Sequence, residues 1–207
     1  MPVNPLPIRI TASLLLAAAV LILQACQDST DSGPPADASV LEGEMPAFRS
    51  VLDGKPRMLT LQMADQVRLA YDTQAGHFYK AWWGDVDLKG IVYDTRHGPQ
   101  PESEGAVYLT QDSARWQSDG AEISYAGHRF AGRQTVVMYE LAGDGWTAQL
   151  EEEPSTQRQG EGMTLVRKFR LQGLPEGQGL ALVNLALPEK YELSGDARWL
   201  ADNHLAF

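Results

Sequence analysis

Residues 135–150 read TVVMYELAGDGWTAQL, and they decide the fold class. Apolar side chains recur at alternate positions from Thr135 to Leu141. The turn-forming Gly143-Asp144-Gly145 follows, and Trp146 opens a second run that ends at Leu150. A period of two is the side-chain period of a strand, and a glycine-rich turn between two such runs signals a hairpin. The same alternation appears in Leu59, Leu61 and Met63, in Val67, Leu69 and Tyr71, and in Ile123 and Tyr125. Met63, Val67, Ala70 and Tyr71 also fit one face of a short helix, because periodicity over so few residues does not separate the two. Further turn signals stand at Asp72–Gly76, at Lys89-Gly90 and along residues 173–179.

Downstream of Leu150, the run Glu151-Glu152-Glu153-Pro154 is expected to be a solvated acidic turn, Met163–Leu171 a strand, and Leu180–Leu187 the next antiparallel strand. Residues 197–201, Asp202-Asn203 and 204–207 predict a strand, a turn and half a returning strand. Either Phe207 seats itself in the core, or the chain is a piece of a longer protein broken mid-hairpin. No internal repeat is visible. The expectation is an all-β domain over residues 47–207, an antiparallel β-sandwich.

The first 25 residues have a different character. Arg9 is followed by an apolar stretch from Ile10 to Leu23 that is too short to span a bilayer comfortably, as in a secretion signal. The stretch ends Leu23-Gln24-Ala25-Cys26, and Cys26 is the sole cysteine. A small residue directly before a Cys, with Leu three positions ahead of it, resembles the lipobox of bacterial lipoproteins. That resemblance implies diacylglyceryl modification of the Cys26 thiol, cleavage before it, and a mature chain anchored by its acyl chains. Gln27 in place of Asp favours the outer membrane, with the protein facing the periplasm. Residues 26–46, rich in Ser, Asp, Gly and Pro, predict a tether that cannot bury a core of its own.

Composition narrows the role. Seventeen basic and 27 acidic residues give a formal net charge of −10, which repels nucleic-acid phosphates, and no basic, aromatic-interleaved patch offsets it. With one cysteine committed to lipid, the domain forms no disulfide and is held by its core alone.

Two stretches are denser in aromatic and polar groups than a plain sandwich needs. In Phe78–Asp87 (FYKAWWGDVD), Trp82 and Trp83 point to opposite faces of a strand, so one can pack inward while the other stacks on the C–H face of a sugar. Tyr79, Trp82, Trp83, Asp85 and Asp87 are therefore candidate ligand contacts, set against the simpler reading that both tryptophans are packing. In Tyr93–Pro101 (YDTRHGPQP), two prolines and a glycine fix a loop that can present Asp94, Arg96, His97 and Gln100, although His97 could equally cap a backbone carbonyl.

These residues also carry a family resemblance. Residues 48–58 (FRSVLDGKPRM), Tyr71-Asp72-Thr73 ahead of Tyr79-Lys80-Ala81-Trp82, Gly90-Ile91-Val92-Tyr93, and His97-Gly98-Pro99-Gln100-Pro101 look like the β-rich module that accompanies c-type cytochrome and quinoprotein-like sugar dehydrogenase domains in secreted bacterial proteins. The likeness runs from about Phe48 to beyond Tyr191. It implies an accessory role near sugar oxidation or electron transfer. The chain departs from such proteins in having no Cys-x-x-Cys-His for covalent haem and no dehydrogenase segment, so no cofactor is expected.

Other chemistry has less support. His77, His97, His128 and His204 lack metal-ligand spacing, Asp85-x-Asp87 is too short for a calcium loop, and no nucleophile elbow or phosphate loop occurs. A glycosidase pair such as Asp85 and Glu122 would depend on their separation in space. Three roles remain in order of preference. The first is a non-catalytic, lipid-anchored module that binds carbohydrate or docks a redox partner. The second is an N-terminal piece of a larger cytochrome or sugar dehydrogenase protein, and the third a sugar-processing enzyme using Asp85, Asp87 and His97.

Overall fold

The computed structural model describes residues 8–12, 47–63, 66–88, 98–132, 134–159, 162–187, 191–201 and 203–207. Among them the regular elements are strands: β1 (Ile8–Ala12), β2 (Ala47–Leu52), β3 (Lys55–Gln62), β4 (Val67–Asp72), β5 (His77–Asp87), β6 (Glu102–Thr110), β7 (Arg115–Ser118) and β8 (Ala121–Ala131), followed by β9 (Gln134–Gly143), β10 (Trp146–Gln159), β11 (Gly162–Gln172), β12 (Leu180–Val183), β13 (Tyr191–Gly195), β14 (Arg198–Ala201) and β15 (His204–Ala206). They form a five-stranded sheet in the order β2-β3-β4-β5-β6, a six-stranded sheet β13-β1-β11-β10-β9-β8, and a four-stranded sheet β14-β15-β12-β7. The domain is an all-β sandwich, antiparallel apart from β1.

The core lies between the inner faces. Leu59, Leu69, Tyr71 and Phe78 of the five-stranded sheet share one buried cluster with Val137, Tyr139, Leu150, Leu165 and Phe169 of the six-stranded sheet. Trp116, Leu182 and Leu205 of the third sheet close one end of it. Phe207 packs here, its ring 5.6 Å from Trp116 and 5.1 Å from Phe169. Each large side chain so buried contributes about 1.5–3 kcal/mol relative to exposure, and this burial stands in for absent cross-links.

Local chemistry explains the hairpins. The backbone amides of Gln74 and Ala75 both donate to the Asp72 carboxylate at 2.9 Å, and Gly76 closes the turn with a positive φ of 70°. The β9–β10 hairpin turns at Asp144-Gly145, pairing Gly143 with Trp146. Val67 to Tyr71 lie in β4 and not on a helix, and Met63 N donates to Val67 O at 2.8 Å.

Two expectations are corrected. Glu151-Glu152-Glu153-Pro154 is no turn, since β10 runs through it in register with Arg170, Phe169, Lys168 and Arg167 of β11. The cause lies on β11, whose basic residues meet the acids across the ladder. Leu180–Leu187 does not continue that succession. Only Leu180–Val183 is strand, and it crosses to the third sheet to pair with β7 and β15. The connection 173–179 is longer than a tight hairpin turn, and Ser118 Oγ fixes the crossing by donating to Gly179 O at 2.8 Å. Ile8–Ala12 pairs in parallel with both β11 and β13. Its β-branched Ile8, Ile10 and Thr11 suit that conformation. Cys26 and the tether fall outside the described residues, as does the turn at Lys89-Gly90.

Candidate functional site

The five-stranded sheet has a second apolar face, and that face is covered by the sheet's own end. Directly opposed across β5 and β6 stand Gly84 and Gly105, with φ of 138° and 124°. A Cβ on Gly84 would lie 2.0 Å from the Glu104 carbonyl oxygen, and one on Gly105 would lie 2.1 Å from that of Trp83. Only glycine fits either place, because each close neighbour is backbone. Here the hairpin folds back. An extended strand would carry Val86 about 20 Å from Lys80. Yet Lys80 Nζ donates at 2.9 Å to Ser103 Oγ, and Ser103 pairs with Val86.

The far end of the hairpin, Asp85–Asp87 and Glu102–Glu104, thus lies over the outward face of the sheet. Beneath it Trp82 is wholly buried, in a cluster with Leu52, Met58, Ala70, Tyr79 and Val86. Its indole N–H donates to Asp85 O at 2.9 Å. Arg68, which opposes Trp82, reaches Asp85 Oδ1 through Nη2 at 3.4 Å.

Asp53, at the β2–β3 turn, latches the hairpin shut. Its carboxylate accepts from Ser103 N at 2.8 Å and from Ser103 Oγ at 3.1 Å, pairs with Lys80 Nζ, and takes a longer contact from Tyr79 OH at 3.4 Å. Its own N–H donates to Pro101 O at 3.0 Å. Burial alone would raise the Asp53 pKa, but Lys80 and the Ser103 donors outweigh it and hold the carboxyl below its ordinary value. Burial and the Asp53 charge push the Tyr79 phenol up to about 12, so it stays a donor. Lys55 and Lys80 flank the Tyr79 ring at 5.0 and 5.3 Å.

A depressed carboxyl pKa fixes the sign of the pH dependence. The stabilisation is fully present above the unfolded-state pKa of about 3.9, and it is lost as pH falls through the lower folded value. The Ser103 amide should therefore keep its hydrogen-exchange protection at pH 5 and lose it in the acid range below about pH 4. In Asp53→Asn that acid-dependent step should be absent.

A second polar cluster is sealed in the core. Arg167 Nε and Nη2 donate to the two oxygens of Glu152 at 2.6 and 3.0 Å, and Tyr71 OH donates to the same carboxylate at 2.8 Å. The guanidinium lies 4.8 Å from the Phe78 ring and 5.0 Å from that of Phe169. Burial, with Glu152 beside them, lifts the Tyr71 and Tyr139 phenols far above their ordinary value. With Glu152 at 0 % and Arg167 at 2 % exposure, no ligand reaches this pair, which joins β10 to β11.

Against this frame the sequence candidates divide. Trp82 and Tyr79 are packed beneath the hairpin, which leaves Trp82 no face for a ligand. Trp83 is 46 % exposed, and the Asp85 side chain 77 %. Asp87 is half-buried opposite Glu102 at the hairpin's far end, and Gln100 is exposed. Asp94, Arg96 and His97 lie outside the described residues. Asp85 and Glu122 stand on different sheets, β5 and β8. Among the described residues no three His, Cys, Asp or Glu side chains gather as a metal site, and no helix is long and apolar enough to cross a membrane.

Sequence reasoning missed Asp53, Arg68, Ser103 and the glycine pair. Gly84 and Gly105 become meaningful only once register sets them opposite each other. Asp53-Gly54 did carry a signal, since it marks a turn tip where a carboxylate is free to reach across a sheet. Comparison with protein-family models, curated proteins and solved structures returned no match.

Proposed function

We propose that the protein is a non-catalytic, lipid-anchored module of the bacterial envelope, outer-membrane attached and facing the periplasm, that binds carbohydrate on Trp83. The carrying observation is the contrast between adjacent tryptophans: Trp82 is fully buried while 46 % of Trp83 faces solvent, two residues from an exposed carboxylate. An aromatic face stacks on the C–H face of a pyranose, and Asp85 accepts hydroxyl hydrogen bonds. The resemblance to modules associated with sugar dehydrogenases supports the same ligand class. The Leu23-Gln24-Ala25-Cys26 sequence supports the anchor.

Calorimetry with a panel of neutral mono- and oligosaccharides tests the binding role. Trp83→Ala should lower affinity at least tenfold while shifting the melting temperature by no more than an ordinary surface change, within about 0.5 kcal/mol. If no sugar binds the parent chain, docking of a redox partner replaces this reading. The anchor has its own test: Cys26→Ser should move the protein from the membrane to the soluble fraction and abolish fatty-acid labelling. Unchanged fractionation would refute it.

A further inference from the structure

Beyond its first 27 residues the sequence is acidic, and its longest stretch there without an acid runs from Ile123 to Tyr139. That stretch contains His128, Arg129, Phe130 and Arg133, and it covers most of β8 and the first half of β9. Phe130 stands near the tip of this hairpin, 54 % exposed, more than any other large apolar side chain among the described residues.

The ring is held in place. A bulge shifts the β8 register between Tyr125 and Gly127, so that Tyr125, His128 and Phe130 line one face. Tyr125 OH and His128 Nδ1 share a hydrogen bond of 2.8 Å, and the His128 ring meets Phe130 edge-on at 5.5 Å. Arg49 of β2 lies 5.9 Å over the Tyr125 ring and donates through Nη2 to Thr73 Oγ1 at 3.2 Å. A lone exposed phenylalanine needs no explanation, but one braced by a chain of neighbouring side chains is preorganised for an apolar partner. On the opposite face of β8, Arg129 keeps 44 % of its side chain exposed while its Nη2 donates to Glu151 Oε1 at 3.0 Å.

The place where the tether joins says what that partner is. Residues 27–46 end at Ala47, two residues before Arg49, so on the lipid-anchored reading the chain from Cys26 enters the domain beside the Tyr125–His128 brace. Those Ser-, Asp-, Gly- and Pro-rich residues have a root-mean-square span of roughly 25 Å. Such a link keeps the domain near the bilayer at an effective concentration on the order of millimolar, so a contact too weak to hold alone is sufficient. Charge selects the lipid, because the arginines of this hairpin favour anionic headgroups while the acidic remainder of the protein is repelled by them. An aromatic side chain suits the boundary between headgroups and acyl chains.

We propose that the β8–β9 tip is a membrane-docking surface: Phe130 enters the interface of an anionic phospholipid bilayer, Arg129 meets the lipid phosphates, and His128 holds the Phe130 ring. This rests on the lipid-anchored reading and adds an orientation to it, with the start of β2 and the β8–β9 tip toward the membrane.

The acylated protein should be reconstituted on vesicles of phosphatidylcholine, alone or mixed with an equal share of phosphatidylglycerol, and hydrogen exchange followed at the Phe130 and Ala131 amides. Both amides should exchange at least fivefold more slowly on the anionic vesicles than on the neutral ones, and high salt should remove the difference. Arg129→Gln and Phe130→Ser, both at exposed positions, should each abolish it. Val107→Ser, a comparably exposed apolar position on the five-stranded sheet, should leave it unchanged. Mass spectrometry of the Cys26 peptide reports acylation separately. If Cys26 carries no acyl chain, the anchored reading fails, and the same comparison with vesicles added to the unacylated protein decides docking by itself. The proposal is overturned if the tip exchanges equally on anionic and neutral vesicles, or if either Arg129→Gln or Phe130→Ser keeps the protection.

Discussion

Arg167→Met should destabilise the protein by about 3–5 kcal/mol, the usual result of removing one partner from a buried ion pair. The Glu152 carboxylate would remain at 0 % exposure with Tyr71 OH as its hydrogen-bond donor, having lost both guanidinium contacts. The cost comes less from the lost attraction than from the stranded charge. A companion variant separates the two. Arg167→Met combined with Glu152→Gln removes both charges and keeps an acceptor for Tyr71, so it should regain a large part of the loss. Urea unfolding of the parent, single and double variants measures this directly. A single variant as stable as the parent would show that the pair does not hold the core.

The second large effect belongs to Trp82. Trp82→Ala should cost about 3–5 kcal/mol, the range for truncating a large aromatic side chain in a packed core. It empties the centre of the Leu52, Met58, Ala70, Tyr79 and Val86 cluster and removes the hydrogen bond to Asp85 O that ties the folded hairpin down. The loss should be accompanied by faster hydrogen exchange at Val86 and Ser103, with β9 and β10 protected in proportion to global stability alone. Equal melting temperatures for Trp82→Ala and Trp83→Ala would contradict the burial difference between them.

Much of the fold was legible because its signals are local. Alternation over Thr135–Leu141 and Trp146–Leu150, the Asp72–Gly76 turn and the apolar end at Phe207 each depend on residues close in sequence. What was illegible depends on partners far along the chain. Three glutamates and a proline in succession look like a solvated turn, yet only Glu152 of the three acids faces inward, and its reason for doing so is Arg167, 15 residues away. The site shows the same division. Opposite faces for Trp82 and Trp83 follow from strand geometry, whereas the fold-back over Trp82 requires Gly84 to meet Gly105. The reach of Asp53 to Ser103 spans 50 residues and leaves no local trace.

The inward-facing Glu152 and Arg167 also bear on how the chain finds its structure. Apolar side chains alone tolerate a shifted strand if the shifted residues are apolar too, and β11 contains Leu165 and Val166 in succession. A slip of one residue between β10 and β11 would turn Arg167 to the opposite face and leave Glu152 in the interior without its cation. The penalty falls on misaligned pairings and spares the native one. The pair thus acts as proofreading during assembly: it discards out-of-register hairpins that the hydrophobic pattern would accept, in a domain with no disulfide to trap the correct one.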